Sequence, residues 1–221
     1  MAVSRDPLVI DVVSDVVCPW CFIGKRRLEK ALELRPEISV EIRWRPFRLD
    51  STIPPGGIPR TEYMLRKFGS IEDVKELTRR IAVTGEDEGI AFAFDAIERS
   101  PDTTDAHRLI RWAHEADLQN ETAEALFRAY FEEGRDVGDR EVLADIAEAT
   151  GLARSGVEAR LESDMDLDTV AEEIAQADRI GIQGVPFFIL AGRIGVSGAE
   201  APEVMVKAID AAVAEMHGTD G

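Results

Sequence analysis

Histidine and cysteine are both scarce in this chain, which holds three of the first and two of the second among 221 residues. A tetrahedral zinc site takes four ligands, and His107, His114 and His217 are scattered with no H-x(3 to 5)-H spacing, so no metal centre is expected. Long apolar runs are missing too. The first, Leu8 to Val13, is too short to span a bilayer, and Met1 to Pro7 carries neither an apolar h-region nor a small-residue cleavage site. A cytosolic location with no membrane partner is the expectation. Basic residues are outnumbered: 26 Lys and Arg face 43 Asp and Glu, a formal net charge of -17, which argues against a nucleic-acid partner. Repeats and low-complexity segments are absent. What remains is a chain with 45% apolar residues, enough for a real core in one large domain or two small ones.

Both cysteines fall in Asp15-Val16-Val17-Cys18-Pro19-Trp20-Cys21, at the spacing of a reversible dithiol. Leu8 to Val13 before it is short, apolar and β-branched, the pattern of a strand buried on both faces. Phe22 to Leu34 after it carries Ile23, Leu28, Ala31 and Leu32 at helical spacing. The dithiol thus sits where a strand passes into a helix. Pro19 suits the first helical position, which makes Cys18 the N-cap and puts Cys21 inside the first turn. Unpaired N–H groups and the positive helix end then face Cys18 and favour its thiolate. Cys18 is read as the nucleophile and Cys21 as the resolving thiol. A static disulfide is the competing reading, but so short a loop closes little chain entropy.

Further on, Ile38 to Phe47 alternates apolar and polar residues as a half-buried strand does. Strand, helix, strand predicts a parallel βαβ unit with the dithiol at the C-terminal end of its first strand. Leu49 to Arg60 is rich in proline and glycine and reads as a loop. Helical patterns then cover Thr61–Phe68, Ile71–Thr84 behind a Ser70 cap, Asp105–Ala116, Glu121–Glu133, Arg140–Thr150, Gly156–Leu161 and Asp166–Ile180. Gly69, Gly85, Gly134 and Gly151 are expected to stop four of them, and Ser155 to Glu158 has the form of a capping box. Ile90 to Phe94 suits a short strand or an extended wall, with core packing its first use. Pro186 to Ala191 is an apolar strand, turned by Ala191-Gly192 into Arg193 to Ser197. Pro202 opens a last helix with Met205, Ile209, Val213 and Met216 as its core stripe, and Gly218 to Gly221 is expected to be a disordered tail.

Cys18-Pro19-Trp20-Cys21 after a strand, with Gly184-Val185-Pro186-Phe187-Phe188 far downstream, resembles the DsbA branch of the thioredoxin superfamily. The FrnE-like dithiol-disulfide oxidoreductases are its nearest match, since Thr104 to Leu109 and Val196 to Ala199 also resemble them. The resemblance runs nearly end to end. It implies an α/β thioredoxin fold, a central mixed sheet built as βαβ then ββα and split by an all-helical insertion. The expected division is 1–58 and 181–221 for the two halves of that fold and 59–180 for the insertion. The resemblance also implies a cis bond at Val185-Pro186, packed against the dithiol, so that the backbone of Val185 can pair with an extended substrate. DsbA itself is periplasmic, so the missing signal points to the intracellular relatives.

One position departs from that pattern. Thioredoxin and DsbA place a buried acid six residues before the first cysteine, and here that residue is Val12. Strand parity puts Asp11 on the opposite face, which leaves Asp15 as the candidate proton acceptor. Pro19, Trp20 and Val185 are the candidate substrate contacts, and Pro186 joins Cys18 and Cys21 as a candidate catalytic residue. His107 is expected to cap or pack within the insertion. The resulting expectation is a cytosolic thiol-disulfide oxidoreductase or isomerase, monomer or homodimer, acting on disulfide-containing proteins or small thiols. No prosthetic group is called for, and glutathione or another low-molecular-weight thiol would serve as redox partner. Two alternatives stand beside it: a kappa-class-like glutathione-dependent isomerase or transferase, whose relatives usually carry serine at this site, and an acidic holdase using the helical insertion.

Overall fold

Leu8–Ser14 forms β1, the strand from which the sheet is built in both directions. The computed structural model of the chain describes residues 6–218. β1 pairs in parallel with β2 (Val40–Pro46), Leu8 opposite Val40 and Ser14 opposite Pro46. On its other edge it pairs antiparallel with Phe187–Leu190, Val12 opposite Phe188, and that strand pairs in turn with Ile194–Ser197. A strand flanked on both edges must satisfy all its polar backbone inside the sheet, which is why its sequence can be nearly apolar throughout. Parity holds as expected: Val12 faces the core, while Asp11 points outward and takes the Arg45 guanidinium at 2.6 Å.

Pro19–Glu33 is α1. Between β2 and the third sheet strand come a short antiparallel pair, β3 (Ile58–Pro59) with β4 (Arg99–Ser100), and seven helices: α2 (Arg60–Phe68), α3 (Ile71–Asp87), α4 (Thr104–Ala113), α5 (Gln119–Phe131), α6 (Arg140–Thr150), α7 (Arg154–Leu161) and α8 (Leu167–Arg179). The sheet strands Phe187–Leu190 and Ile194–Ser197 are then β5 and β6, and Pro202–Gly218 is α9. The order β2-β1-β5-β6, with helices inserted between β2 and β5, is the thioredoxin arrangement with a helical insertion. Among the described residues no helix is long and apolar enough to cross a membrane.

The insertion is welded to α1 by aromatic side chains. Phe22, fully buried, stacks on Phe127 of α5 at 5.2 Å, and Phe131 and Phe92 complete the cluster. Removing a ring from such a core costs roughly 3–5 kcal/mol, so the helix that starts with the dithiol is anchored from the insertion side. Arg108 of α4, also fully buried, anchors the far end of the insertion. Its guanidinium donates to the carbonyls of Met165, Arg160 and Ser163 and to the Asp105 carboxylate. These bonds gather the carbonyls of the last turn of α7 and of the segment that follows it onto one guanidinium.

Several expectations need correction. Gly85 does not stop α3, which runs on to Asp87; the Phe92 ring lies where a Cβ on Gly85 would stand, so the glycine is there for packing. Ser155 is not an N-cap, because α7 starts two residues earlier, after Ala153, and Glu158 binds Arg154 at 2.7 Å instead. Ile90 to Ala93 is irregular and Phe94–Ala96 is a 3-10 turn; Phe92 and Phe94 stack on each other rather than alternating across a sheet. The antiparallel β3–β4 pair, closed across α2 and α3, was not expected, since two residues a side are too few to show alternation. Ala191 and Gly192 make the expected turn, both at positive φ. Gly218, expected to begin a disordered tail, instead ends α9, and the rest of that tail, Thr219 to Gly221, lies outside the described residues, as do Met1 to Arg5.

Candidate active site at the start of the first helix

Cys18 is the N-cap of α1, with φ -95° and ψ 112°, and Pro19 follows at the first helical position. Its carbonyl accepts from Cys21 N at 3.0 Å and Phe22 N at 3.4 Å, which closes the first turn around the dithiol. Both cysteines are free thiols. Cys18 is 3% exposed and Cys21 only 1%, so neither is a surface thiol.

The two sulfurs have different surroundings. Burial pushes the Cys21 thiol well above its ordinary 9.0, and the neighbouring Cys18 sulfur, toward which it donates, adds to this. The Ser14 side chain and the Asp15 backbone act the other way. A thiol held neutral and aimed at its neighbour is a hydrogen-bond donor for a thiolate at Cys18. Cys18 Sγ also lies 3.6 Å from the carbonyl of Val185. The Val185-Pro186 bond is cis, and Pro186 packs against α1 at Gly24. A Cβ on Gly24 would come within 2.9 Å of Pro186 Cγ and 3.2 Å of Phe188 Cζ. A glycine inside an apolar helical stretch is the signal that could have marked this approach.

Trp20 stands at the mouth, 39% exposed. Beyond it a cleft of about 250 Å³ opens between α1 and the insertion, walled by Leu49, Ile53, Tyr63, Met64, Ile81 and Phe94, with Cys18, Pro19 and Val185 on its inner side. Arg60 and Lys67 stand on its rim. Arg60 donates to the Tyr130 hydroxyl at 3.1 Å; burial pushes that phenol up to about 12 against the opposing pull of the guanidinium. The helical insertion therefore supplies most of the cleft wall, and Phe94, in the segment read as a strand or an extended wall, is part of it.

Asp15 is brought to the cleft but is not solvated there. Its carboxylate is 2% exposed; Oδ2 accepts from Leu49 N at 2.8 Å, and Oδ1 lies 3.5 Å from His107 Nε2. His107 reaches out of the insertion, its Nε2 2.9 Å from the carbonyl of Phe47. The residue does not pack within the helical bundle as expected; it ties α4 to the chain that leaves β2. Among the described residues no cluster of three His, Cys, Asp or Glu side chains is arranged to hold a metal ion.

Residues 9–210 match the model of the DSBA-like thioredoxin domain. An uncharacterized Bacillus subtilis protein, YwbO, is 30% identical over 208 residues, covering 90% of this chain and 94% of its own. The crystal structure of a probable DsbA oxidoreductase from Streptomyces coelicolor, SCO1869, superposes with a TM-score of 0.86 at 33% identity, over 94% of this chain and 91% of that one. The cytosolic disulfide reductase DsbM of Pseudomonas aeruginosa, solved with GSH, shares the fold at a TM-score of 0.63 and 20% identity, covering 96% and 98% of the two chains. With the fold, the N-capping cysteine and the matched model in agreement, the chain belongs to the DsbA-like thioredoxin family.

Proposed function

We propose that the protein is a thiol-disulfide oxidoreductase in which Cys18 attacks and Cys21 resolves. The observation that carries this reading is the placement of Cys18 at the helix start, on the inner side of an apolar cleft and beside the backbone of Val185. As a reductase, the Cys18 thiolate attacks a substrate disulfide, forms a mixed disulfide and releases one substrate thiolate. Cys21, once deprotonated, then attacks Cys18 Sγ and releases the second. Two electrons leave the dithiol and two enter the substrate, and the released thiolates take protons from solvent. Run in reverse, the same steps oxidise a dithiol; opened by a second thiol, the mixed disulfide supports isomerisation.

Val185 and Pro186 form the ledge against which a substrate segment lies, and Trp20 with Pro19 its apolar lip. Asp15 is the carboxylate available to take a proton while the cleft is open. We assign the protein to the FrnE-like group and to a reducing, cytosolic setting, where glutathione or a similar thiol keeps the dithiol reduced. The structure of DsbM with GSH, related by fold alone, makes glutathione the first partner to test. The deciding experiment equilibrates the protein with glutathione redox buffers and quantifies the dithiol by alkylation and mass. A potential between ~-270 mV (thioredoxin) and ~-120 mV (DsbA) is expected. A value below that of thioredoxin would make it a dedicated reductase, and a pair that never forms a disulfide would end the reading.

A further inference from the structure

Tyr63, Met64 and Lys67 follow Arg60 by three, four and seven residues on α2, the spacing that brings side chains to one face of a helix. All four line the cleft in front of Cys18. Tyr63 and Met64 form the apolar middle of that face, and the two cations stand at its ends, ~10 Å apart along the helix axis. Phe68 and Trp20, both exposed, carry the apolar surface out to the mouth. The enclosed volume of about 250 Å³ lies below the ~300–1,000 Å³ of pockets that bury a whole small ligand. It suits the side chains of a segment that lies across the opening.

Among the described residues no carboxylate pairs with either cation. Arg60 is half-buried and held in place: it donates to the Tyr130 hydroxyl at 3.1 Å and lies over the Phe94 and Tyr130 rings at 5.9 and 6.0 Å. That hydroxyl donates onward to the carbonyl of Arg99, so the guanidinium uses part of its donor fork on a neutral group and keeps the rest. Lys67 is exposed and donates to the Tyr63 hydroxyl at 2.8 Å. The acids of the cleft wall are engaged elsewhere, Asp15 by Leu49 N at 2.8 Å and Asp50 by Thr52 and Arg66. On α1 the pattern is the reverse, with Arg26, Arg27 and Lys30 all in ion pairs. In a chain of net charge -17, cations left unpaired on the cleft that holds Cys18 are matched to an acidic partner. A fixed guanidinium with free donors beside an apolar surface receives a carboxylate well.

Resting on the dithiol reading above, we infer that the cleft takes a protein segment whose disulfide cysteine stands beside an apolar side chain and close to carboxylates. The apolar side chain lies on Tyr63 and Met64, and Arg60 and Lys67 receive the carboxylates. Segments with basic residues around the cysteine are disfavoured by the same two cations.

The test uses three end-blocked peptides, each with a phenylalanine beside a single cysteine and flanked on both sides by glutamate, glutamine or lysine. Each is presented as its symmetric disulfide to reduced protein, and acid-quenched samples resolved by chromatography give the exchange rates. The glutamate peptide should react roughly fivefold faster than the glutamine peptide, and the lysine peptide slowest. Arg60→Gln and Lys67→Gln should each lower the glutamate-to-glutamine ratio by about half or more, the double variant should abolish the preference, and Arg60→Lys should keep most of it. A structural role of Arg60 alone would slow all three peptides alike and leave the ratio where it was; that result overturns the proposal, as does a wild-type ratio of one or less. Oxidised glutathione, which carries carboxylates without an aromatic group, is run beside the peptides. If it reacts faster than the glutamate peptide and loses that lead in the same variants, the cations serve a small thiol and the assignment to a protein segment falls. Wild-type protein that exchanges with none of the four disulfides overturns the dithiol reading itself, which is a different result from exchange that is blind to charge.

Discussion

The cleft in front of Cys18 and a rear cavity walled by Ser14, Trp44, Ile110, Gln119 and Phe127 are nearly equal in size, at about 250 and 260 Å³, yet their walls are made of opposite material. The front is aromatic and aliphatic, contributed by α1, α2, α3 and the chain after β2. The rear is polar and crossed by ion pairs, contributed by β2, α4, α5 and α8. One strand end separates them, and its last residues turn alternately to each side. The dithiol opens on the apolar side alone, since Cys18 lines the front cleft and neither cysteine lines the rear cavity. The difference teaches that the helical insertion lends an apolar wall to the side on which Cys18 opens and a polar one to the other.

The hardest break removes the nucleophile. Cys18→Ser should lower disulfide exchange by roughly 10³-fold or more, because no other thiol faces the cleft. Cys21→Ser should leave the first attack intact and let the mixed disulfide at Cys18 accumulate, which mass spectrometry of the unreduced protein would detect. Equal inactivation by both variants, with no adduct, would remove the division of labour between front and rear.

Alkylation sharpens the same contrast without mutation. At neutral pH iodoacetamide should modify Cys18 about tenfold faster than Cys21 or more, since the latter is a buried thiol held neutral. Because Cys18 is itself only 3% exposed, a bulky maleimide should lose most of that advantage. Peptide mapping after brief labelling gives both rates, and rapid labelling of Cys18 by the bulky reagent would mean that the cleft does not control access.

How far the sequence foretold this arrangement depends on how local the signal is. Cys18, Pro19 and the flanking strand and helix were legible because capping, the fixed φ of proline and apolar periodicity act within a few residues. The order β2-β1-β5-β6 followed from the two motifs together. Most of the cleft wall was not legible: Tyr63, Met64 and Ile81 look like any amphipathic core stripe until a second element faces them, whereas Phe94 fell in a segment already read as a strand or wall. Gly85 shows the converse, a strong local stop signal overridden because the Phe92 ring occupies the space beside it.

Gly24→Ala probes the joint between the two sides. The added methyl meets Pro186 Cγ at 2.9 Å and Phe188 Cζ at 3.2 Å, and both belong to the chain that carries the Val185 carbonyl to Cys18. Overpacking of this kind costs ~1–3 kcal/mol. The expected outcome is a lower denaturation midpoint together with slower attack by Cys18, as the ledge moves away from the thiol. Unchanged stability with unchanged exchange would show that α1 and β5 can part without consequence.

The smallest expected effect lies in the pH dependence of stability, and it isolates the rear thiol. In the folded reduced protein Cys21 binds its proton more tightly than the ordinary value of 9.0 implies. The folded state therefore holds that proton where the unfolded state has begun to release it. The contribution to stability is complete below pH 9.0 and is lost as the pH rises through the higher folded value, at no more than about 1.4 kcal/mol per pH unit. Tyr130, pushed up to about 12 from its ordinary 10.0, gives a loss of the same sign at higher pH, so a single unfolding series would mix the two. Comparing reduced wild type with Cys21→Ala between pH 7 and pH 10 cancels the tyrosine, which both proteins share. The wild type should lose stability relative to the variant only above pH 9, and parallel curves across the whole range would mean that the Cys21 thiol is not held in its neutral form.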